Sequence, residues 1–392
     1  MNADGDVVDA LFINSGILGQ RTFAEFVRAE FGRERDGVRV RQALVTEDLT
    51  PPERAMRFLL CARLWPRGAL GLRNIDLHRY RCELNAGILA RNRLRRLEAE
   101  GHRFDVLHFH RQTTAYASLD VMRRIPAIVS IDSTQRCVLQ HARSRAETRS
   151  YGPNIRRDGQ IFRAAKVIVS VSAWAARSLR EEYPDCTTEI AVMPNPVRMP
   201  PESDGWIAER YARHAAGTPP RVLFVGGDFP RKGGFDLLEV WTRAGLHQRA
   251  CLDIMSSWPI AEAGLPPGVT VHRGISAHTD AWNALWRRAD IFALPTRDEA
   301  FGIVFQEAAA AGLPAIGSRL NAVPEIIHDH DTGLLVLPGD ATGLARALDA
   351  LIASPETRRD MGTRARAFIR TAADPDRYRR DLAAALRRVA GR

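Results

Sequence analysis

The chain has 392 residues, of which 45% are hydrophobic and 26% are charged, and it carries a net charge of +10. This length is comfortable for two domains, and the composition is that of a globular protein rather than a disordered or fibrous one. No run approaches the roughly 18 apolar residues of a membrane-spanning helix, and the acidic amino terminus lacks the basic region of a signal peptide. The five cysteines are scattered without metal-site spacing, so we expect reduced thiols in a cytoplasmic protein.

The positive charge is unevenly distributed along the chain. Residues 1–196 contain 31 Lys and Arg against 23 Asp and Glu, whereas residues 197–392 contain 25 against 23. Residues 54–96 alone carry eleven arginines, interspersed with Leu, Trp and Phe. Such a basic amphipathic stretch predicts contact with an anionic membrane surface or an acidic partner, and a solvated helix face is the alternative. Nucleic acid is not expected as a partner, because no recognised binding motif accompanies the charge.

In chain order, short β-branched runs alternate with longer helical patterns. Six such runs precede residue 197: VDALFIN (8–14), VRVRQALV (38–45), DVLHFH (105–110), PAIVSID (126–132), KVIVSVS (166–172) and EIAVM (189–193). Six more follow it: RVLFVGG (221–227), ACLDIM (250–255), VTVHR (269–273), DIFALP (290–295), LPAIGS (313–318) and GLLVLP (333–338). Apolar strands separated by helices are typical of parallel sheets covered on both faces. The predicted fold class is therefore α/β, with two doubly wound Rossmann-like domains facing across a cleft and a C-terminal helix.

The predicted domains are residues 1–196 and 197–392. The boundary lies inside the stretch MPNPVRMPPESDG, whose four prolines disfavour regular structure. Residues 374–392 show helical spacing of apolar residues and predict a terminal helix. Whether this helix packs back on the first domain is left open by the sequence.

A basic glycine-rich loop opens the second domain. The stretch FVGGDFPRKGGFDLLEVW (224–241) places Arg231 and Lys232 between a strand and a helix start, where negative charge is favoured. This pattern predicts a diphosphate-binding loop, and a basic turn without a ligand is the alternative. Lys232 is one of only two lysines, beside 54 arginines, which suggests a local need for a compact ammonium group.

Two further candidates lie in the first domain. The loop in LFINSGILGQRTFAEFV (11–27) contains Gly16 and Gly19 without the spacing of a dinucleotide fingerprint. It predicts a second place where a phosphate or sugar group comes close to the backbone. The stretch DVLHFHRQTT puts His108 and His110 on one face of a strand, with His110 at its end. A hydrogen-bonding role of His110 toward a ligand, a structural role and metal ligation all remain open.

The stretch with the most candidate binding residues is DEAFGIVFQEAAAAGLPAIGS, in which Glu299 and Glu307 are eight positions apart. Glu299 falls in a strand-end loop and Glu307 on the helix that follows. The backbone N–H groups near Phe301, Gly302 and Ile303 are free helix-start donors suited to an anionic group. Ionised carboxylates accept hydrogen bonds from hydroxyl groups. Phosphate and polyol together describe a nucleotide sugar.

These motifs, with VPEIIHDHDTGLLV, resemble in order and spacing the retaining glycosyltransferases of family 4, whose fold is called GT-B. The resemblance implies an acceptor-side first domain and a second domain that binds a UDP- or GDP-hexose donor. It also implies transfer of a hexosyl unit to a glycan or lipid-linked acceptor, in cell-surface polysaccharide or glycolipid synthesis. Many members have an arginine where this chain has Gly227, so Arg231 supplies the missing charge or Lys232 acts alone.

The residue patterns above and the resemblance together give the expected residue roles. They are, for catalysis, Glu299 and His110; for the diphosphate, Arg231, Lys232, Gly19, Gly302 and Ile303; and for the sugar or ribose, Glu299, Phe301 and Glu307. No metal and no cofactor is expected, and the DPD (374–376) and DHD (329–331) triplets are interpreted as loop aspartates. The expected location is cytoplasmic, with peripheral attachment at the inner face of the membrane left open. A nucleotide-sugar epimerase and a non-catalytic nucleotide-sugar-binding protein are the alternatives.

Overall fold

The structure is a computed structural model that describes residues 7–16, 20–64, 76–142, 144–198 and 202–392. The chain forms two compact units. The first comprises Met1–Asn195 together with Asp376–Arg392, and the second comprises Pro196–Pro375.

The first unit contains a six-stranded parallel sheet. Its strands are β1 Val8–Asn14, β2 Val38–Leu44, β3 Val106–His110, β4 Ala127–Ile131, β5 Val167–Ser170 and β6 Glu189–Val192. Its helices are α1 Gln20–Phe31, α2 Pro51–Cys61, α3 His78–Ala99, α4 Leu119–Arg124, α5 Arg145–Ser150, α6 Gly152–Ala164 and α7 Ala173–Glu182. The strand order is β2-β1-β3-β4-β5-β6, and every paired neighbour runs parallel.

The second unit repeats this plan. Its strands are β7 Arg221–Val225, β8 Cys251–Met255, β9 Val269–His272, β10 Ile291–Leu294, β11 Ala315–Ser318 and β12 Gly333–Val336. Its helices are α8 Ser203–Ala215, α9 Gly234–Arg243, α10 Asp280–Arg288, α11 Ile303–Ala310, α12 Ala341–Ala353 and α13 Pro355–Ala372. The strand order is β12-β11-β10-β7-β8-β9. All twelve predicted strands are present, trimmed by no more than two residues at either end, and the predicted fold class of two doubly wound domains is confirmed.

Alternation of side chains along β1 shows why helices cover both faces of the first sheet. Leu11 and Ile13 enter one buried cluster with residues of α3, α6 and α7. Val8, Ala10 and Phe12 enter another cluster, which α1 closes. Because successive residues of a strand point to opposite faces, a strand that is apolar at nearly every position is buried on both sides.

The terminal helix α14, Pro375–Val389, packs on the first unit. Tyr378 contacts the rings of Phe23 and Phe26 edge-on, at centroid distances of 5.5 and 5.6 Å. Leu382 and Leu386, four residues apart on one helix face, lie in the same buried cluster. The chain therefore returns to its first unit after completing the second.

Candidate functional site

The strand order of the second unit locates a binding crevice before any side chain is considered. From β7 the chain builds outward through β8 and β9, then returns to place β10 on the other side of β7. In open parallel sheets, ligands bind outside the carboxyl ends of the strands where the order reverses in this way. The two loops that leave this point are residues 226–233, after β7, and residues 295–302, after β10. They are the two loops singled out by the sequence motifs.

Backbone and side-chain hydrogen bonds join these two loops. The Arg297 N–H donates to the carbonyl oxygen of Arg231 at 2.8 Å. In return, Nη1 of Arg231 donates to the carbonyl oxygen of Asp298 at 2.6 Å. Arg297 also pairs through two nitrogens with the carboxylate of Asp236 in α9, at 2.7 and 2.6 Å. The basic loop and the glutamate loop are therefore held as one piece.

Lys232 and Glu299 form an ion pair between the two loops. Both side chains are largely buried, at 15% and 13% exposed. The backbone carbonyl of Glu299 accepts a hydrogen bond from Nδ2 of Asn321 at 2.9 Å, which fixes the loop from its other side. A charged pair with little access to water interacts strongly, so each partner restricts the other's orientation.

The helix starts beside these loops have no side-chain caps. Both α9 and α11 begin after a left-handed glycine, Gly233 with φ 74° and Gly302 with φ 89°, and neither glycine can supply a capping side chain. The first N–H groups of a helix lack partners within the helix, and they favour anions. Gly302 and Ile303 thus lie at the start of α11, where the sequence places them, and Phe301 is buried just before.

Close packing within the protein requires the glycine at position 233. A Cβ atom there would lie 2.0 Å from the carbonyl oxygen of Pro295. Gly233 therefore allows close approach of the neighbouring loop, residues 295–302.

Glu307 lies on α11 behind the loops and is only 8% exposed. Burial raises the pKa of its carboxyl group to about 8, and burial is the only cause found. No cation or hydrogen-bond donor among the described residues offsets this effect. The carboxyl is therefore held mostly protonated at neutral pH.

Arg231 is placed differently from Lys232. Besides its bond to Asp298, its Nε donates to Oδ2 of Asp228 at 3.2 Å. Its guanidinium is therefore engaged in holding the two loops together, whereas the ammonium of Lys232 faces the Glu299 carboxylate. Sequence reasoning did not single out Asp228, Asp298 or Arg297 as part of this arrangement. The only available signal was the charged run TRDE beside the first glutamate.

His110 lies in the first unit, at the carboxyl end of β3. Its ring stacks on Phe23 with centroids 4.3 Å apart and planes 6° apart, and its buried Nδ1 has no hydrogen-bond partner among the described residues. Burial lowers its pKa to about 4, so the imidazole is neutral at pH 7. His108, on the same strand face, has its Nε2 2.6 Å from Oγ of Ser130. Gly19 lies outside the described residues.

Carboxylates of the two DxD-like triplets are engaged in ion pairs. Asp329 pairs with Arg319, and Asp331 pairs with Nε of Arg364 at 2.6 Å. Asp376, which the sequence analysis assigns to a loop, lies in the first turn of α14, where its carboxylate is 3.3 Å from Nη2 of Arg379. Within the described parts of the chain, no group of three or more His, Cys, Asp or Glu side chains is arranged to hold a metal ion.

The arginine-rich segment 54–96 is described except for residues 65–75. In α3, five arginines pair with carboxylates: Arg79 with Glu83, Arg81 with Asp76, Arg91 with Asp120, Arg93 with Asp48 and Arg96 with Glu53. The surface of α2 and the residues after it differs, because Phe58, Leu59 and Leu64 are 76%, 67% and 68% exposed. Among the described residues, no helix has the length and apolar content needed to cross a bilayer.

Two doubly wound domains, one of them with a basic loop and two glutamates at its switch point, define the class of GT-B glycosyltransferases. Residues 47–199 match the family model "Glycosyltransferase Family 4", and residues 208–368 match "Glycosyl transferases group 1". Together the two matches cover most of the chain, which is therefore a GT-B glycosyltransferase with a family 4 domain and a group 1 domain.

Relatives of known name support this placement. The chain is 44% identical to N-acetyl-alpha-D-glucosaminyl L-malate synthase of Bacillus anthracis over 78 residues, which is 20% of each protein. It is 27% identical to D-inositol 3-phosphate glycosyltransferase of Xylanimonas cellulosilytica over 324 residues, 76% of this chain and 75% of that protein. The aligned region thus spans a fifth of the first relative and three quarters of the second.

Solved structures share the fold. Sucrose-phosphate synthase from Thermosynechococcus elongatus superimposes with a TM-score of 0.75 at 17% identity, covering 98% of this chain and 99% of that one. The HepE protein of Anabaena, solved in complex with UDP-glucose, gives a TM-score of 0.64 at 14% identity, covering 97% and 99%. At these identities the likeness establishes the architecture alone.

Proposed function

We propose that this protein is a retaining, metal-independent hexosyltransferase that uses a UDP- or GDP-hexose. The observation that carries the proposal is the Lys232–Glu299 pair, which joins the two loops at the switch point of the second unit. A cation for phosphate and a carboxylate for sugar hydroxyls then lie in direct contact. Solved structures of similar fold that bind UDP or UDP-glucose support the choice of donor class.

The diphosphate of the donor would bind to Lys232 and to the uncapped starts of α9 and α11. A diphosphate carries more negative charge than the single carboxylate that Lys232 contacts here. The ammonium can therefore transfer its interaction from Glu299 to phosphate when the donor binds. Arg231 would add positive charge while it holds the loops together. Because these protein groups offset the negative charge of the leaving diphosphate, no metal ion is required to stabilise it.

The two glutamates would act on different parts of the donor. Glu307, buried on α11, would accept hydrogen bonds from the ribose hydroxyls. Glu299, released from Lys232, would bind the hexose, and the backbone next to Phe301 would line the same site. We assign His110 to the donor sugar from the family resemblance, and its neutral imidazole can both donate and accept a hydrogen bond.

In the transfer step, the bond between the anomeric carbon and the phosphate oxygen breaks, and the acceptor hydroxyl oxygen bonds to the same carbon. The acceptor's proton moves to the departing phosphate, and the nucleoside diphosphate leaves. Because the configuration at the anomeric carbon is retained, the acceptor hydroxyl attacks from the face of the sugar from which the diphosphate departs. No second carboxylate at the separation used by glycosidases is then needed.

A ligand-binding and product assay tests this proposal. UDP, GDP, their hexose conjugates and the free nucleosides are compared by thermal shift, where a ligand at a hundredfold its Kd adds about 2.7 kcal/mol of stability. The wild type should bind one diphosphate series far better than its nucleosides. It should also release nucleoside diphosphate from the matching donor without added metal. Conversion of the donor to an epimer would identify an epimerase, and binding without turnover would identify a non-catalytic protein.

We further propose that residues 54–64 attach the protein to an anionic membrane surface, where a glycan or lipid-linked acceptor would be met in cell-surface polysaccharide or glycolipid synthesis. Exposed Phe58, Leu59 and Leu64 provide apolar contact, and the arginines of the same segment provide attraction to anionic lipid. The ion-paired arginines of α3 contribute less, because their charge is already balanced. Cytoplasmic location with peripheral attachment is the corresponding proposal for localisation.

A further inference from the structure

Arg111 lies at a second point where strand order reverses. In the first unit the chain passes from β1 to β2, then returns to place β3 on the other side of β1. The carboxyl ends of β1 and β3 therefore flank a crevice of the kind that binds ligands. Arg111 directly follows β3, and the donor site proposed above makes no use of it.

The backbone of Arg111 is strained. Its φ of 84° and ψ of 136° lie in a region that favours glycine and that a residue with a side chain rarely adopts. The Arg111 N–H donates to the carbonyl of Ser130 at 3.1 Å. Its own carbonyl accepts from the N–H and the hydroxyl of Thr114, at 3.2 and 2.8 Å. Strained residues that are held in this way cluster at ligand-binding positions.

Within the described part of the protein, the Nε and Nη2 atoms of Arg111 make no hydrogen bond. Its Nε is buried and has no hydrogen-bond partner there. Its Nη2 lies 3.8 Å from Oδ1 of Asp132, too far for a hydrogen bond. The Arg111 and Asp132 side chains are 34% and 36% exposed, so both remain accessible. Asp132 raises the pKa of Arg111, which keeps the arginine charged.

Other acidic groups near Arg111 already have partners. Glu83 pairs with Nε of Arg79 at 3.0 Å. Asp158 accepts a hydrogen bond from the hydroxyl of Tyr116 at 2.7 Å, and burial raises its pKa to about 7. Among the described residues, the positive charge of Arg111 is therefore balanced only by the distant contact with Asp132 and by these engaged groups.

We propose that Arg111 binds an oxyanion on the acceptor substrate, so that the acceptor is a phosphorylated or carboxylated hydroxyl compound. The proposal rests on the transferase function proposed above and adds that the acceptor carries a negative charge. A guanidinium with free N–H groups matches the oxygens of a phosphate or carboxylate through two parallel hydrogen bonds. A water-soluble sugar phosphate and the headgroup of an anionic lipid share this chemistry.

Matched acceptors test the inference. Transfer from the preferred donor is measured to glucose and glucose 6-phosphate in solution, and to diacylglycerol and phosphatidylglycerol in otherwise neutral vesicles. The wild type should prefer the anionic member of one pair, and that pair identifies the source. Arg111→Gln should lower kcat/KM for that member by about tenfold to a hundredfold, since a charge-assisted hydrogen bond is lost. Affinity for the nucleoside diphosphate and slow hydrolysis of the donor by water should not change.

Two further variants separate binding from folding. Arg111→Gly removes the guanidinium and relieves the backbone strain, so the melting temperature should not fall while anionic-acceptor transfer is lost. Arg124→Gln removes an exposed arginine that precedes β4 and so lies near the amino ends of the strands, whereas Arg111 lies at their carboxyl ends. This variant should keep the preference for the anionic acceptor. Preference of the wild type for the neutral members, or an equal loss on both members in Arg111→Gln, overturns the inference. Failure of the wild type to bind any nucleoside diphosphate overturns the proposed function instead.

Discussion

Replacing Glu307 by glutamine should stabilise the second unit, and the gain should grow with pH. The pKa of Glu307 is about 8 in the folded chain, against an ordinary value of 4.5. Below pH 4.5 the carboxyl is protonated in both the folded and the unfolded chain. Between pH 4.5 and 8 the unfolded chain releases the proton while the folded chain keeps it, so the wild type loses stability as pH rises.

The size of the effect follows from the two pKa values. Each pH unit between them lowers the free energy of unfolding by about 1.4 kcal/mol. The accumulated loss is below about 1 kcal/mol at pH 5, roughly 3 kcal/mol at pH 7, and constant above pH 8. Glutamine has a similar shape and cannot ionise, so Glu307→Gln should recover most of this loss.

Tryptophan fluorescence during urea unfolding measures the gain. Five of the seven tryptophans lie in the second unit, so the signal reports mainly on its unfolding. Wild type and Glu307→Gln are compared at pH 5, 7 and 8.5, with Glu262→Gln as a control at an exposed glutamate of the same unit. A stability difference that stays constant over this pH range would refute the protonated state of Glu307.

The same carboxyl should couple nucleotide binding to proton release. Ribose hydroxyls donate to an ionised carboxylate, so nucleoside diphosphate binding at pH 7 should expel up to one proton from the wild type. Calorimetry in two buffers of different ionisation enthalpy measures this proton, and Glu307→Gln should release none from this site. Equal proton release by both proteins would show that Glu307 does not bind the ribose.

Three other experiments have expected outcomes. Lys232→Ala should weaken the nucleoside diphosphate by about tenfold to a hundredfold in calorimetry while nucleoside affinity stays the same, and unchanged diphosphate affinity would reject its phosphate role. Glu307→Ala should weaken the nucleoside diphosphate, because the ribose contact is lost in every bound state. Glu299→Ala should keep diphosphate affinity nearly intact while kcat falls about a hundredfold, or roughly 2.7 kcal/mol, and a loss of affinity as large as that of Glu307→Ala would contradict the division of roles. In vesicle flotation, a Phe58→Ser, Leu59→Ser double variant should lose recovery with anionic lipid, whereas equal wild-type recovery with anionic and neutral vesicles would exclude the membrane surface.

Strands and motif positions could be predicted from the sequence because they depend on local patterns. An apolar β-branched run bounded by turn residues favours a buried strand wherever it lies in the chain, and all twelve such runs are strands. The spacing around Glu299 and Glu307 likewise places one glutamate in a loop and the other on a helix. That assignment requires only the helix start after Gly302 and the helix end near Gly312.

Tertiary structure alone decided what each side chain contacts. Lys232 and Glu299 are 67 residues apart, and they meet because β10 lies beside β7 in the sheet. The hydrogen bond from Arg231 to the Asp298 carbonyl and the packing of Gly233 against Pro295 depend on that same strand order. The raised pKa of Glu307 depends on how completely its neighbours exclude water. Periodicity along a chain specifies which face of an element is apolar, but charge partners and solvent access are set only when distant elements pack together.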